Sequence, residues 1–247
     1  MIKIKHTALL LVLFLSIQDF RAEPPPKSRY KRTGNGTRLN FGTGLNFYSI
    51  NENHGSNPKQ KPSFTFGFRR EVLVSRDYKA YILFGMDYAL HGLTYQSYYF
   101  QPDSIHFYNK KFDYTYALSL NEIQIPFQFK YLLRRADNSP FSPYFLVGYH
   151  LRYMLPGILK VSQDGLVVKN DLPEMKFRNY LVSDKINASV SASLGWQRNN
   201  LSDKKGSFFI ELNFQYGFSQ YYFQTNYSAA SMFINGTMVT LFLGTKF

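Results

Sequence analysis

The sequence predicts an all-β protein, an eight-stranded antiparallel up-and-down transmembrane β-barrel. Three observations support this prediction. Apolar and polar residues alternate with the period of a strand, the connections between strands are short and long in turn, and a secretory signal precedes the strands. Phenylalanine and tyrosine are abundant, with 24 Phe and 20 Tyr among 247 residues, which favours β-structure with a large apolar surface.

The clearest alternation lies between residues 123 and 155, which form two amphipathic stretches joined by the polar turn RRADNSPFS. In the first stretch Phe127 and Phe129 share one face, and Gln128 and Lys130 share the other. Side chains alternate across a strand, so each stretch is predicted to be a strand with one bulky and one polar face. The two strands together predict a hairpin.

The other predicted strands repeat this pattern at residues 39–49, 63–75, 79–91, from about 114, 185–197, 207–219 and 232–247. Most are longer than the roughly 9–11 residues that cross a bilayer as a tilted strand. Connections after the second, fourth and sixth strands are short, and the others are long. This pattern is typical of periplasmic turns and extracellular loops, with both chain ends in the periplasm.

Several details of the connections are also predicted. Residues 92–113 are expected to be a long polar loop, and residues 156–184 to contain a hairpin at an Asp-Gly turn. In the fourth strand the apolar positions change from even to odd, which predicts a β-bulge at residues 120–122. Pro126 cannot donate a hydrogen bond to a neighbouring strand, so a local bulge is expected there as well.

The start of the chain is predicted to direct export. Residues 1–22 combine the basic Lys3 and Lys5 with a short apolar core, as in a secretory signal. Residues 23–38 are predicted to form a flexible, basic, Pro-rich periplasmic segment that includes Arg38, and residues 39–247 the barrel. Removal of residues 1–22 lowers the formal net charge from +13 to +11, because three cations and one anion leave. Attraction to anionic lipid headgroups explains this charge, and no nucleic-acid partner is expected.

The bulky face of each strand is predicted to contact lipid. Eight strands enclose a space just wide enough for side chains, and the large residues of every strand would overfill it. The Gly, Ser, Asn and Gln face fits inside, and its charged residues are expected to form an interior ion-pair network. These residues are Arg69, Glu71, Asp87, Lys130, Arg152 and Glu211. A soluble two-sheet sandwich, which would bury the bulky set, remains an alternative at this point.

Five short segments carry a resemblance to a known family. They are FGTGLNF at 41–47, MDYALHG at 86–92, IQIPFQFKY at 123–131, PYFLVG at 143–148 and LGTKF at 243–247. With these segments the chain resembles the PorT-like outer-membrane β-barrel proteins of Bacteroidota. The resemblance implies an outer-membrane barrel without catalytic residues, whose C-terminal Phe247 is recognised by the barrel-insertion machinery. The family's namesake is implicated in a secretion system that exports proteins across the outer membrane.

No catalytic, cofactor-binding or metal-binding residue is predicted. His54 and His106 fall in loops, His91 at the outer end of a strand and His150 in an inward row. None lies in a recognisable local motif with serine, and the three outer histidines match no metal-ligand spacing. The chain has no cysteine, which excludes disulfides and thiolate metal sites. Ser104 lies in a short pattern typical of bacterial O-glycosylation.

The sequence therefore favours a non-enzymatic binding or assembly component of the cell outer membrane, and the resemblance suggests a link to protein secretion. A small-solute channel and a lipid-modifying enzyme are the alternatives. The expected partners are outer-membrane lipid and lipopolysaccharide, the barrel-insertion machinery through Phe247, and a secretion-system or surface protein.

Overall fold

The computed structural model of the chain is one antiparallel sheet that closes on itself. It describes residues 35–50, 59–102, 109–134, 141–171, 176–178, 185–198, 207–218, 220–224 and 231–247. The strands are β1 Gly36–Ile50, β2 Lys59–Gln60, β3 Pro62–Leu73, β4 Ala80–Pro102, β5 Asn109–Leu132, β6 Phe141–Gln163, β7 Leu166–Asp171, β8 Lys176–Arg178, β9 Ile186–Arg198, β10 Ser207–Gly217, β11 Gln220–Gln224 and β12 Ser231–Lys246. No helix within these residues has the length and apolar character needed to cross a membrane.

Eight of these strands form a closed ring in the order β1-β3-β4-β5-β6-β9-β10-β12, because β12 also pairs with β1. Following the paired residues around the ring from Thr37 leads back to β1 at Phe47, ten residues further along the strand. This stagger tilts the strands, as closure of a barrel requires. At the base the backbone N–H of Thr37 donates to the carbonyl of Phe247 at 3.1 Å, and the N–H of Phe247 donates back at 2.9 Å. The predicted eight-stranded barrel is confirmed.

The bulky face of the barrel points outward, as predicted. Phe66 is 65% exposed on β3 and Leu194 is 59% exposed on β9, whereas their polar neighbours Thr65 and Ser193 are buried. All strands of the ring show this contrast, with outward residues that include Leu39, Phe41, Phe47, Phe68, Met86, Phe127, Phe129, Tyr149, Trp196, Phe214, Leu241 and Leu243. An apolar exterior around a polar interior is the arrangement of a barrel in lipid.

A tight turn connects β3 to β4 at the end of the barrel that carries both Thr37 and Phe247. The Ser75 hydroxyl oxygen accepts hydrogen bonds from the backbone N–H groups of Lys79 at 3.1 Å and Ala80 at 2.8 Å. A hydrogen bond with Ser75 also holds the pKa of Asp77 below its usual value of 3.8. Tyr78 adopts a positive φ of 57°, which these hydrogen bonds stabilise within the turn.

Ser75→Ala is expected to lower the free energy of unfolding by about 0.5–1.5 kcal/mol, since the Ala80 N–H loses its hydroxyl acceptor and the Lys79 N–H keeps only the Asp77 carboxylate. Because the folded-state pKa of Asp77 is depressed, its stabilisation is present above the unfolded pKa and is lost as the pH falls. The substitution should therefore also flatten the acid dependence of stability, measured by urea unfolding between neutral and acidic pH. Ser207→Ala, at the start of β10, is a serine control that should leave the Asp77 contribution unchanged.

Three strands are longer than predicted. β4, β5 and β6 contain 23, 24 and 23 residues, and β4 stays paired with β5 up to Pro102↔Asn109. The long loop predicted for residues 92–113 is therefore wrong over its described parts. The alternation continues there, but with the larger residues inside: Tyr95 and Tyr116 stack at 4.8 Å between ring centroids. Ser104 lies outside the described residues.

The irregularity predicted near residue 120 exists, but its extra residue lies on the neighbouring strand. Ser119 pairs with Ile158 and Asn121 with Leu155, so β6 advances three residues while β5 advances two. The even residues of β5 face inward from Tyr116 to Leu132, so the predicted change of face in β5 is wrong. β6 changes face instead, at Pro156 and Gly157.

The bulge expected at Pro126 is also not observed. Pro126 pairs with His150 of β6 in the same register as its neighbours. On the β4 side the pairing stops after Phe84↔Phe127 and resumes at Asp87↔Gln124 with the same offset. The missing proline N–H is thus accommodated by an interruption of the ladder without an inserted residue.

The hairpin predicted within the long connection after β6 is confirmed. β6 and β7 are antiparallel, and Asp164 and Gly165 connect them with positive φ values of 48° and 85°. Positive φ at both central residues is the geometry of a two-residue type I′ turn, for which Asp-Gly is a preferred sequence. The predicted signal at residues 1–22 lies outside the described residues and stays a prediction.

Candidate functional site: ion pairs inside the barrel

Charged residues from several strands meet near the base of the barrel. The Glu71 carboxylate of β3 lies 2.8 Å from Lys130 Nζ of β5 and 3.3 Å from Lys246 Nζ of β12. Lys130 also donates to the Gln197 side-chain oxygen and lies 4.5 Å from the centre of the Tyr144 ring. All five side chains are buried. This base cluster (Glu71, Lys130, Lys246, Gln197 and Tyr144) connects strands across the barrel interior.

A second cluster lies just above the first. Arg69 donates to Asp87 from two nitrogens, at 2.6 and 3.2 Å, and its Nη1 lies 3.8 Å from Glu211. Arg38 donates to the other oxygen of Glu211 at 3.0 Å, and its guanidinium stacks 3.6 Å from the centre of the Phe209 ring. This central cluster (Arg38, Arg69, Asp87 and Glu211) is a chain of alternating charges joined by charge-assisted hydrogen bonds, and two nitrogens of Arg69 converge on one oxygen of Asp87.

The outer third of the barrel holds a separate group around Glu122. Arg152 binds this carboxylate from two nitrogens, at 2.7 and 2.9 Å, and His91 Nε2 lies 3.3 Å from it. The other nitrogen of His91 is hydrogen-bonded to the Tyr48 hydroxyl. Beside this outer cluster (Tyr48, His91, Glu122 and Arg152) is a cavity of about 10 Å³, about the space that one water molecule needs. It is lined by Asn46, Tyr48, Arg152, Gln215, Gly217, Gly236 and Met238.

The predicted interior network is confirmed for Arg69, Glu71, Asp87, Lys130, Arg152 and Glu211, which are all buried and paired. Its other members were missed. Arg38 was assigned to the flexible lead-in, but β1 begins at Gly36 and Arg38 is 1% exposed. Extending the alternation of β1 backwards from Asn40 would have placed Arg38 on the inward face.

Three further members of the network are also misplaced or overlooked by the sequence prediction. His91 was expected at the outer rim but is 3% exposed inside the barrel. Glu122 fell within the predicted bulge and Lys246 within the closing motif, so neither received a role. Both lie at even positions of strands whose even residues face inward.

His150 lies in the middle of the barrel, in the inward row that the sequence predicts. Its Nε2 lies 2.9 Å from the Ser191 hydroxyl and 3.3 Å from the Gln128 amide. Its Nδ1 has no hydrogen-bond partner among the described residues. A Ser-His hydrolytic pair needs an acid or carbonyl at that second nitrogen to orient the ring. His150 and Ser191 are also buried, so this geometry does not support hydrolysis of lipid.

Metal binding has no support within the described residues either, where no group of three or more potential ligand side chains is close enough to hold an ion. His54 and His106 lie outside the described residues.

Apolar clusters fill both ends of the interior. The lower cluster surrounds the cationic side chains and consists of Tyr81, Leu83, Leu132, Tyr144, Leu146, Phe209 and Phe242. The upper cluster consists of Tyr48, Leu93, Tyr95, Tyr116, Leu118, Leu120, Met154, Leu159 and Val161. With the ion pairs between them, these clusters give an eight-stranded barrel a packed core.

Comparisons with known proteins support the fold. No family model matches the sequence, and no curated protein matches it. The chain is similar in structure to the outer membrane protein OprG from Pseudomonas aeruginosa, with a TM-score of 0.50 and 11% identity over 87% of this chain and 96% of that chain. Neisserial surface protein A (NspA) gives a TM-score of 0.38 and 11% identity, over 85% of this chain and 97% of that chain.

The exterior of the barrel decides its environment. A continuous band of exposed Phe, Leu, Ile and Val around a closed ring is costly in water and stable in lipid. The polar interior is compatible with that environment because its charges pair with one another. The soluble sandwich is therefore excluded, since its bulky face would be buried. The chain is an integral β-barrel protein of the outer membrane.

Proposed function

We propose that this protein is a non-catalytic, non-conducting barrel that binds a partner protein at the cell surface. The observation that carries the proposal is the length of β4, β5 and β6, which contain 23, 24 and 23 residues. β9 and β10, with 13 and 11 residues, are close to what a membrane span needs. The three long strands therefore continue well beyond the bilayer.

The extension is an ordered sheet with a buried face. About ten residues beyond a membrane span correspond to roughly 30 Å along the strand. Leu93, Leu118 and Val161 belong to this part of β4, β5 and β6 and are 0% exposed. A sheet packed on one face in this way is rigid, and rigid elements are suited to presenting a binding surface.

β7 adds an exposed apolar edge to this sheet. Leu166, Val167 and Val168 are 76%, 52% and 44% exposed, and β7 pairs with β6 on one side. Consecutive exposed apolar residues above a membrane are typical of a protein contact surface. The second edge of β7 pairs with no other strand among the described residues, and such an edge offers backbone hydrogen bonds to an extended segment of a partner.

The packed interior supports the absence of transport. Arg69 and Lys130 are each 1% exposed, and ion pairs and apolar clusters fill the barrel from base to outer end. In planar bilayers the purified protein is expected to show no unit conductance steps. Discrete steps from the wild-type protein would instead favour the small-solute channel. Turnover of lipid A acyl chains by the same preparation would favour the lipid-modifying enzyme.

A PorT-like relationship and a contribution to protein secretion belong to the same proposal. They are supported by the five sequence segments described above. Recognition of Phe247 by the barrel-insertion machinery is supported by its position, since it is 67% exposed at the base of the barrel. Lipopolysaccharide is the expected lipid neighbour of the outer half of the barrel exterior, and phospholipid is the expected neighbour of the periplasmic half.

Surface binding can be tested by shortening the extension. Gln96 and Thr115 are paired across β4 and β5, so residues 97–114 can be replaced by a two-residue turn without changing the register. The shortened protein should keep heat-modifiable migration on gels, which reports a folded barrel, but should lose a protein that cross-links to the wild type on intact cells. A cross-linking pattern unchanged by the truncation would contradict the proposed role of the extension.

A further inference from the structure

A groove crosses the outer surface of β4, β5, β6 and β9 in the lower half of the barrel. Its volume is about 510 Å³, and the outward side chains that line it are Ile82, Phe127, Phe129, Val147, Tyr149 and Val190. We propose that this groove binds one phospholipid of the periplasmic leaflet, with an acyl chain in the groove and the phosphate at Lys79 and Arg134.

The groove arises from a contrast in side-chain size on the lipid-facing surface. Val147 and Val190 are shorter than Phe127 and Tyr149, which rise beside them. Gly148 contributes only backbone to the floor, because its position between the outward Val147 and Tyr149 faces the barrel interior. The floor is therefore depressed, and an apolar depression in a bilayer loses dispersion contacts unless a lipid chain fills it.

The groove reaches the periplasmic edge of the barrel. Ile82 and Phe129 pair across β4 and β5 near the base. Three residues further down, the Leu132 N–H donates to the Lys79 carbonyl at 2.8 Å. Lys79 lies three residues below Ile82, or about 10 Å along the strand, at the rim just before β4 begins, where a long lysine side chain can extend to the level of the headgroups. This separation is suited to a lipid whose chain begins in the groove and whose headgroup lies at the turn.

The charge at that edge favours a phosphate. Arg76, Lys79 and Arg134 lie in or beside the two turns, and Lys79 is half-buried. Among the described residues of the two turns the acidic one is Asp77, whose carboxylate accepts the Lys79 backbone N–H at 3.3 Å. In this described part, three cations against one anion leave a positive edge where lipid phosphates lie, which attracts an anionic headgroup.

The apolar groove and the cationic edge together define the ligand class. The volume falls in the range of about 300–1,000 Å³ that is usual for small-molecule sites, and the lining accepts a hydrocarbon chain. A free phosphate could use the cations but would leave the groove empty. Lipopolysaccharide has phosphates too, but it occupies the opposite leaflet, at the end of the barrel away from Lys79.

The test is to count lipids on the full-length protein by native mass spectrometry after extraction from outer membranes in mild detergent. The wild type is expected to retain about one phospholipid per barrel. Val190→Trp should fill the groove, and Lys79→Glu combined with Arg134→Glu should repel the phosphate. Each is expected to reduce retention at least about fivefold, while heat-modifiable migration shows that the barrel remains folded.

Two matched variants control for nonspecific effects. Val239→Trp changes a half-buried valine on the outer face of β12, away from the groove. Arg198→Glu reverses an exposed cation that lies 5.9 Å from the Phe208 ring of β10 and so points away from the groove. Both should retain the phospholipid. The proposal would be overturned if Val190→Trp retained as much phospholipid as the wild type, or if the two control variants lost as much as the groove variants. Retention of lipopolysaccharide instead of phospholipid would also overturn it.

Discussion

Replacing Arg69 with alanine is expected to destabilise the barrel by about 3–5 kcal/mol, because it breaks a buried ion pair in the interior. Arg69 is 1% exposed and donates to Asp87 at 2.6 Å and to the Gln128 side chain at 2.8 Å. It also lies 3.8 Å from Glu211. Removal of the guanidinium leaves the buried Asp87 carboxylate without its arginine partner and weakens the pairing of the Glu211 carboxylate.

The measurement is the free energy of unfolding in urea, for protein refolded into lipid vesicles. Arg70→Ala is the matched control, because Arg70 is adjacent in sequence but exposed, with a hydrogen bond to Thr37 at 3.2 Å. Its effect should stay within about 0.5 kcal/mol. Adding Asp87→Asn to Arg69→Ala should recover part of the loss, since a neutral amide is less costly to bury unpaired. Equal effects of the two arginine substitutions would mean that the central cluster contributes little to stability.

The faces of the strands could be predicted from the sequence because the physical rule behind them is local. Side chains alternate across a strand, so residues such as Phe127 and Gln128 must point in opposite directions wherever the strand lies. Volume then decides which face is inside. The closed ring and its lipid-facing exterior follow from these two arguments and were predicted correctly.

The same rule fails where the environment of the strand changes. Within the membrane, large apolar residues face lipid, so a row of them marks the outside. Beyond the membrane β4 and β5 continue as a sheet, and Leu93, Tyr95 and Leu118 are buried on its inward face. A prediction that large residues face outward therefore breaks down at the membrane boundary. It produced both the false loop at residues 92–113 and the false change of face near residue 120.

The partners within the ion-pair network were not predictable from local spacing. Arg38 and Glu211 are 173 residues apart in sequence and meet across the barrel interior. Their meeting depends on the stagger of ten residues around the ring, which sets the height of each strand relative to the others. Glu122 and Arg152 belong to adjacent strands, and their contact also depends on the register of β5 and β6. Alternation determines which charges face inward, but only the stagger determines which of them pair.

An arginine placed at Phe66 is expected to lower the free energy of unfolding by about 2–4 kcal/mol, because it would lie near the midplane of the bilayer. Phe66 is 65% exposed on the outer face of β3 and pairs with Phe41 of β1. Phe41 is four residues above Thr37, which is hydrogen-bonded to Phe247 at the base. The position is therefore well inside the apolar band.

Phe47→Arg on β1 is the matched substitution at the outer boundary. Phe47 lies ten residues beyond Thr37, or about 25 Å higher along the barrel axis for a tilted strand. An apolar band of a transmembrane barrel is also about 25 Å tall, so an arginine there can reach the interface at a cost of about 0–1 kcal/mol. Urea unfolding in vesicles should give this difference between the two variants, and Leu45→Arg, an outward position two residues below Phe47 on β1, should give an intermediate value. A soluble protein would show no such dependence on height, since an exposed arginine in water costs little at any position. Equal values for Phe66→Arg and Phe47→Arg would therefore contradict the placement of the bilayer around this barrel.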